Sequence, residues 1–136
     1  MRDAKTIGQQ VAMMQRCFPG FRYRRRNCPR ERIPTWVGWL QPFGDSVAYQ
    51  VKVEYRVPKQ PQVWVIQPQL RPNTPHLYHD GSLCLYYPPD MSWHPSKLIA
   101  TTILPWTAHW LGVYDCWCVT NQWCGPEAPH RRRKLR

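Results

Sequence analysis

The amino-acid pattern predicts one α+β domain: an N-terminal helix, a four-stranded antiparallel meander, an extended strap and a C-terminal helix. Three observations predict it. Apolar residues recur at three- and four-residue intervals near both ends of the chain, they alternate with polar residues in between, and they lose any period from Arg71 to Ser92. With 136 residues, 43% of them hydrophobic and eight of them tryptophan, the chain can bury one core but not two. The domain is expected over residues 1–130, followed by a basic tail over 131–136. The 15 prolines stand singly between apolar runs, which fits rigid corners rather than a low-complexity tract.

Each element follows from its local pattern. From Ala4 to Phe18, the residues Ile7, Val11, Met14 and Phe18 form one helical face, with Asp3 as the expected N-cap and Pro19-Gly20 as the stop. In "FRYRRR", Phe21 and Tyr23 share one strand face and Arg22, Arg24 and Arg26 the other. "TWVGWLQP" is a second short strand, bounded by Pro34 and Pro42. "VAYQVKVEYR" has a strict two-residue period. Val47, Tyr49, Val51, Val53 and Tyr55 should face inward, and Gln50, Lys52, Glu54 and Arg56 outward. "PQVWVIQPQL" is the fourth strand, closed by Pro68, and the short links favour adjacent pairing. The final helix is expected after Pro95, with a stripe running from Leu98 to Tyr114. Pro105 should kink or restart it by removing a backbone donor and crowding the carbonyl of Thr101.

Composition narrows the function. The N-terminus lacks the apolar centre of a secretion signal and no run is long enough to span a bilayer, so a cytoplasmic protein is expected. In that setting the six cysteines (17, 28, 84, 116, 118 and 124) read as thiols rather than a disulfide framework. The formal charge of +11 is concentrated in "RYRRRNCPRER" and "HRRRKLR". Such blocks are either solvated surface or attract polyanions, an acidic protein surface as readily as nucleic acid. A nucleic-acid module is disfavoured, because Phe21 and Tyr23 face away from the strand arginines and no finger or RNP-like motif is present. Cys116, Cys118, Cys124 and His130 are spaced poorly for structural zinc, so neither metal nor cofactor is expected and Cys116 and Cys118 read as core.

The strap "PHLYHDGSLCLYYPPDMSW" holds the candidate chemistry. A long ordered segment without a period is often functional, and this one is too rich in Leu, Tyr, Pro and Trp for disorder. Cys84 is either a small hydrophobe between Leu83 and Leu85 or a nucleophile. The nucleophile would be helped by the basic chain, His76, His79 or a helix start near Pro95. Asp80-Gly81 reads as a turn, and His79 as an exposed loop residue.

On these residues the chain resembles ubiquitin-conjugating enzymes. In "TPHLYHDGSLCL", Pro75 matches the proline of the family's His-Pro-Asn motif, Gly81 its glycine and Cys84 its catalytic cysteine. "SWHPSKLI" supplies the Trp93 and Pro95 that precede the helix. The resemblance implies the ubiquitin-conjugating (UBC) fold and acyl transfer through a Cys84 thioester. His79, Asp80 and Gly81 would shape the active-site loop, with Trp93 supporting it and Asp90 orienting an incoming amine. Thr74 stands where the family has histidine, and His76 where it has asparagine, so His76 would donate to an oxyanion or act as a base. The stretches "PHLY", "LCLYYP", "TTILPWTAHWL" and "YDCW" are similar to the compact bacterial branch found in antiphage CBASS operons. That branch implies conjugation of the C-terminus of a cGAS-type nucleotidyltransferase to an acceptor, and a separate activating enzyme as a further partner. The alternative is a non-catalytic module of the same fold that docks through its basic face.

Overall fold

A computed structural model describes residues 3–25, 33–85 and 93–123 of the chain. The elements run α1 (Ile7–Cys17), β1 (Arg22–Arg25), β2 (Pro34–Leu40), β3 (Tyr49–Glu54), β4 (Gln62–Gln67), a 3-10 turn (Ile99–Thr101) and α2 (Ile103–Thr120). The four strands form one antiparallel sheet in sequence order, so the α+β meander is as the periodicity required.

Several boundaries differ from the sequence reading, each for a local reason. The N-cap of α1 is Thr6 rather than Asp3. The Thr6 hydroxyl accepts from the Gln9 amide at 3.0 Å, and the Gln9 side chain accepts from the Thr6 amide at 2.9 Å. This reciprocal box satisfies two orphan donors, which Asp3 could not do from three residues upstream. Val47 lies outside β3 and is exposed, whereas Glu54, expected outside, is only 3% exposed. Its carboxylate is held by Lys52 at 3.3 Å and Arg56 at 3.6 Å.

The final helix does not begin after Pro95. The chain makes a 3-10 turn and restarts at Ile103, which places Pro105 third in α2, where its missing N–H has no helical acceptor to lose. Asn121 closes α2 in the left-handed conformation (φ 65°).

The core lies between the inner sheet face and the helices. Trp36, Val51, Val53 and Val63 from the sheet meet Met14 of α1 and Ile103, Leu104, Trp110 and Leu111 of α2. At the inner face Gly38 makes room for a neighbour, since a Cβ there would sit 2.4 Å from the Phe21 ring. Gln10, fully buried in α1, donates to the Lys97 carbonyl and accepts from the Ile99 amide, both at 2.9 Å, and so ties α1 to the chain leading into α2.

A candidate active-site hairpin

The strap is more regular than its sequence suggests. Residues 76–84 fold into a small hairpin. Tyr78 N–H donates to the Ser82 carbonyl, Gly81 N–H to the Tyr78 carbonyl and Cys84 N–H to the His76 carbonyl, each at 2.9 Å. Leu77 and Leu83 bridge between its limbs. Gly81 takes the left-handed position (φ 85°) that a three-residue hairpin loop requires, so the Asp80-Gly81 turn is as expected. The hairpin caps the open edge of β4, with Leu83 N–H donating to the Val63 carbonyl at 2.8 Å and the Trp64 indole to the Asp80 carbonyl at 3.0 Å.

Asp80 fixes the turn. One carboxylate oxygen accepts from the Ser82 hydroxyl (2.6 Å) and amide (2.9 Å), the other from Gln62 (2.9 Å). These donors, the Ser82 hydroxyl foremost, hold its carboxyl below the ordinary carboxylate range. His79, beside it, is exposed.

Cys84 leaves the turn half-buried, between Leu83 and Leu85, which are each 2% exposed. The flanking side chains anchor in the core, and of the three residues Cys84 alone is partly exposed. Its amide is already bonded to the His76 carbonyl, so that N–H is not left to bind a ligand. His76 itself has φ 60°, and its ring lies 4.9 Å from the Trp123 ring.

Trp123 is one of the residues that sequence reasoning missed. It meets Trp110 edge-on at 5.2 Å, Trp110 stacks on Tyr114 at 5.6 Å, and Tyr114 leans on Trp117 at 5.9 Å. This aromatic column joins His76 to the length of α2. Arg71, at the entry of the strap, was missed as well. Its amide donates to the Tyr114 hydroxyl and its guanidinium to the Cys118 carbonyl, both at 2.9 Å, and the guanidinium lies 5.0 Å over Trp117. A cation on the last carbonyls of a helix also meets the negative end of its dipole. Tyr49 donates to the Asp115 carboxylate of the same helix, and burial, reinforced by that bond, pushes its hydroxyl well above the ordinary range.

The other expected site residues lie elsewhere. Trp93 is buried, its indole donating to the Thr102 hydroxyl at 3.0 Å and its ring edge-on to Tyr55 at 5.4 Å. These contacts anchor it in the core after the strap. α2 begins at Ile103, so no helix start at Pro95 faces the thiol. Asp90 falls outside the described residues, as do Cys28, Cys124, His130 and the tail. Cys17, Cys84, Cys116 and Cys118 are free thiols, the last two half-buried on α2. Among the described residues no three metal-ligating side chains come together, and no helix is long and apolar enough to cross a membrane.

With this arrangement in place, comparison with known proteins is decisive on one point. The family described as the Type II CBASS E2 protein matches residues 10–131. The chain belongs to that family. Its role is therefore E2-like and lies within CBASS defence, and its N-terminal helix, four-stranded antiparallel sheet and C-terminal helix are consistent with an E2-like fold. No curated protein matches the chain significantly.

Proposed function

We propose that this CBASS E2 protein is a cysteine acyl transferase that carries the C-terminus of a cGAS-type nucleotidyltransferase as a thioester on Cys84 and passes it to an acceptor. The observation that carries this reading is the placement of Cys84. It is a half-buried residue at the end of a hairpin pinned to β4 on one side and to α2, through His76, Trp123 and Trp110, on the other. A nucleophile held on a rigid support needs no reordering before attack.

In the first step the Cys84 thiolate adds to the carbonyl carbon of an activated C-terminus, and the activating group leaves. A free carboxylate would have to expel hydroxide, so the donor must arrive as an acyl adenylate or an existing thioester from a separate activating enzyme. In the second step an acceptor amine attacks the thioester, the amide bond forms, and the thiolate departs. His76 supports the reaction by positioning, because its carbonyl clamps the Cys84 amide and its ring rests on Trp123.

The test is intact mass of the protein mixed with the synthase and its activating partner, before and after a thiol reductant. A thiol-labile adduct that becomes a reductant-stable ester in Cys84→Ser and vanishes in Cys84→Ala is expected. An adduct that persists in Cys84→Ala refutes the assignment. For His76, a positioning part predicts that Trp123→Ala slows transfer while leaving its pH profile unchanged. A profile that loses a limb in His76→Gln but not in Trp123→Ala would make the imidazole itself a proton carrier.

A further inference from the structure

The outer face of the sheet carries a combination that the strand-by-strand reading separated. Phe21 and Tyr23 do turn away from the β1 arginines, and Tyr23 packs on Trp36. Pairing of β1 with β2 and β3, however, brings a different aromatic residue to the arginine side. Register places Arg22 opposite Val37, Arg24 opposite Thr35 and Trp39 opposite Gln50. Together with Lys52 these residues line an open trough of ≈ 710 Å³ across β1, β2 and β3. Trp39 is 53% exposed there, a large apolar ring presented to solvent. On the β4 side, Lys52 lies 4.8 Å over the Trp64 ring.

The charge of this face is positive. The acidic residue lining the trough, Glu54, is buried and paired with Lys52 and Arg56, so among the described residues no carboxylate ion pair is seen at Arg22 or Arg24 beside the exposed indole. We propose that this face binds single-stranded nucleic acid, with Arg22, Arg24 and Lys52 on the phosphates and Trp39 stacking on a base. Protein interfaces deplete charge at their centre, whereas here Arg22 and Lys52 flank Val37 from either side in register, with the exposed indole of Trp39 next along the same face of β2. A cationic groove with an aromatic platform is the arrangement that tracks a single strand without reading its sequence. The site is separate from Cys84, which follows a hairpin on the opposite side of the sheet, at β4, so nucleic acid and acyl donor can be held together.

The experiment is fluorescence anisotropy of a short labelled oligothymidylate with the full-length protein. Non-specific binding with a Kd of about 1–100 μM is expected at physiological salt. Two or three phosphate contacts predict a slope of log affinity against log salt of about −1.4 to −2. Arg22→Ala with Arg24→Ala should weaken binding by at least about tenfold. Trp39→Ala should weaken it by about 5- to 100-fold and Trp39→Phe by much less. Thioester formation should be unchanged in all of these variants, which separates this site from the Cys84 chemistry. Three results would overturn the proposal. One is absence of binding at low salt. Another is binding lost only when Arg131, Arg132 and Arg133 of the tail become Gln. The third is a polyglutamate peptide binding as tightly as the oligonucleotide and indifferently to Trp39→Ala, which would make the partner an acidic protein.

Discussion

Gln10 offers a direct test of how α1 is fastened to the domain. The side chain is 0% exposed and carries two 2.9 Å hydrogen bonds to backbone 87 and 89 residues away, at Lys97 and Ile99. Gln10→Leu keeps the volume nearly constant but removes both partners. The Ile99 amide belongs to a fully buried residue, so leaving it unpaired costs about 1–3 kcal/mol, and the half-buried Lys97 carbonyl costs at the low end of that range. The extra apolar burial of leucine offsets about 1 kcal/mol. The expected net loss is about 1–3 kcal/mol. With an m-value of about 1.5–2 kcal/mol/M, the urea midpoint should fall by about 0.5–2 M at unchanged m. Gln10→Glu, which retains the acceptor for Ile99 but buries a carboxyl, should also destabilise, and more so at neutral than at acidic pH. A midpoint shift worth less than about 0.5 kcal/mol for Gln10→Leu would refute the reasoning, because only an exposed site tolerates that change so well.

Other expectations follow from the same physical terms. Gly38→Ala should destabilise by about 1–3 kcal/mol, since its Cβ would have to displace the Phe21 ring from 2.4 Å; Phe21→Ala in the same background should restore part of the loss in a denaturation cycle. Asp80 has a folded pKa below its ordinary value, so its contribution is present above that value and is lost as pH falls through the folded one. Amide chemical shifts of the hairpin should therefore move below about pH 4, and Asp80→Asn should abolish that acid transition. Tyr49, Tyr55 and Tyr114 are all raised, chiefly by burial, so the stability they contribute is complete below pH ~10 and declines above it. Ultraviolet titration should show three of the seven tyrosines ionising only as the protein unfolds; seven ionising together near pH ~10 would contradict their burial.

The sheet was the most legible part of the sequence because its period is carried by adjacent residues. Val51 and Val53 could point only one way once Lys52 pointed the other. Glu54 escaped this logic because two neighbouring cations, rather than water, satisfy its charge. The Asp80-Gly81 turn was also readable, through glycine's access to positive φ. What the sequence could not show was anything joined across long separations. Nothing in the sequence near Arg71 joins it to Cys118, 47 residues on, and nothing near Trp123 joins it to His76. The start of α2 was misplaced because Pro95 and Pro105 both suit a first turn, and the choice between them lies in the Gln10 contacts of the intervening chain. Trp39 and the arginines fell into separate strands, and only register made them neighbours.

The Arg71 clamp at one end of residues 71–83 and the β4 bond of Leu83 at the other have a kinetic corollary. A segment fastened at both ends to different layers cannot swing open alone; it can part only when α2 or the edge of the sheet lets go. The amide protons of Tyr78 and Cys84 should then exchange with solvent deuterium at rates close to those of the central strands, and far more slowly than those of the loop at Phe43. In the acyl transfer proposed above, the searching would then fall to the incoming tail, whose conformational entropy, rather than any swing of residues 71–83, would set the pace of capture.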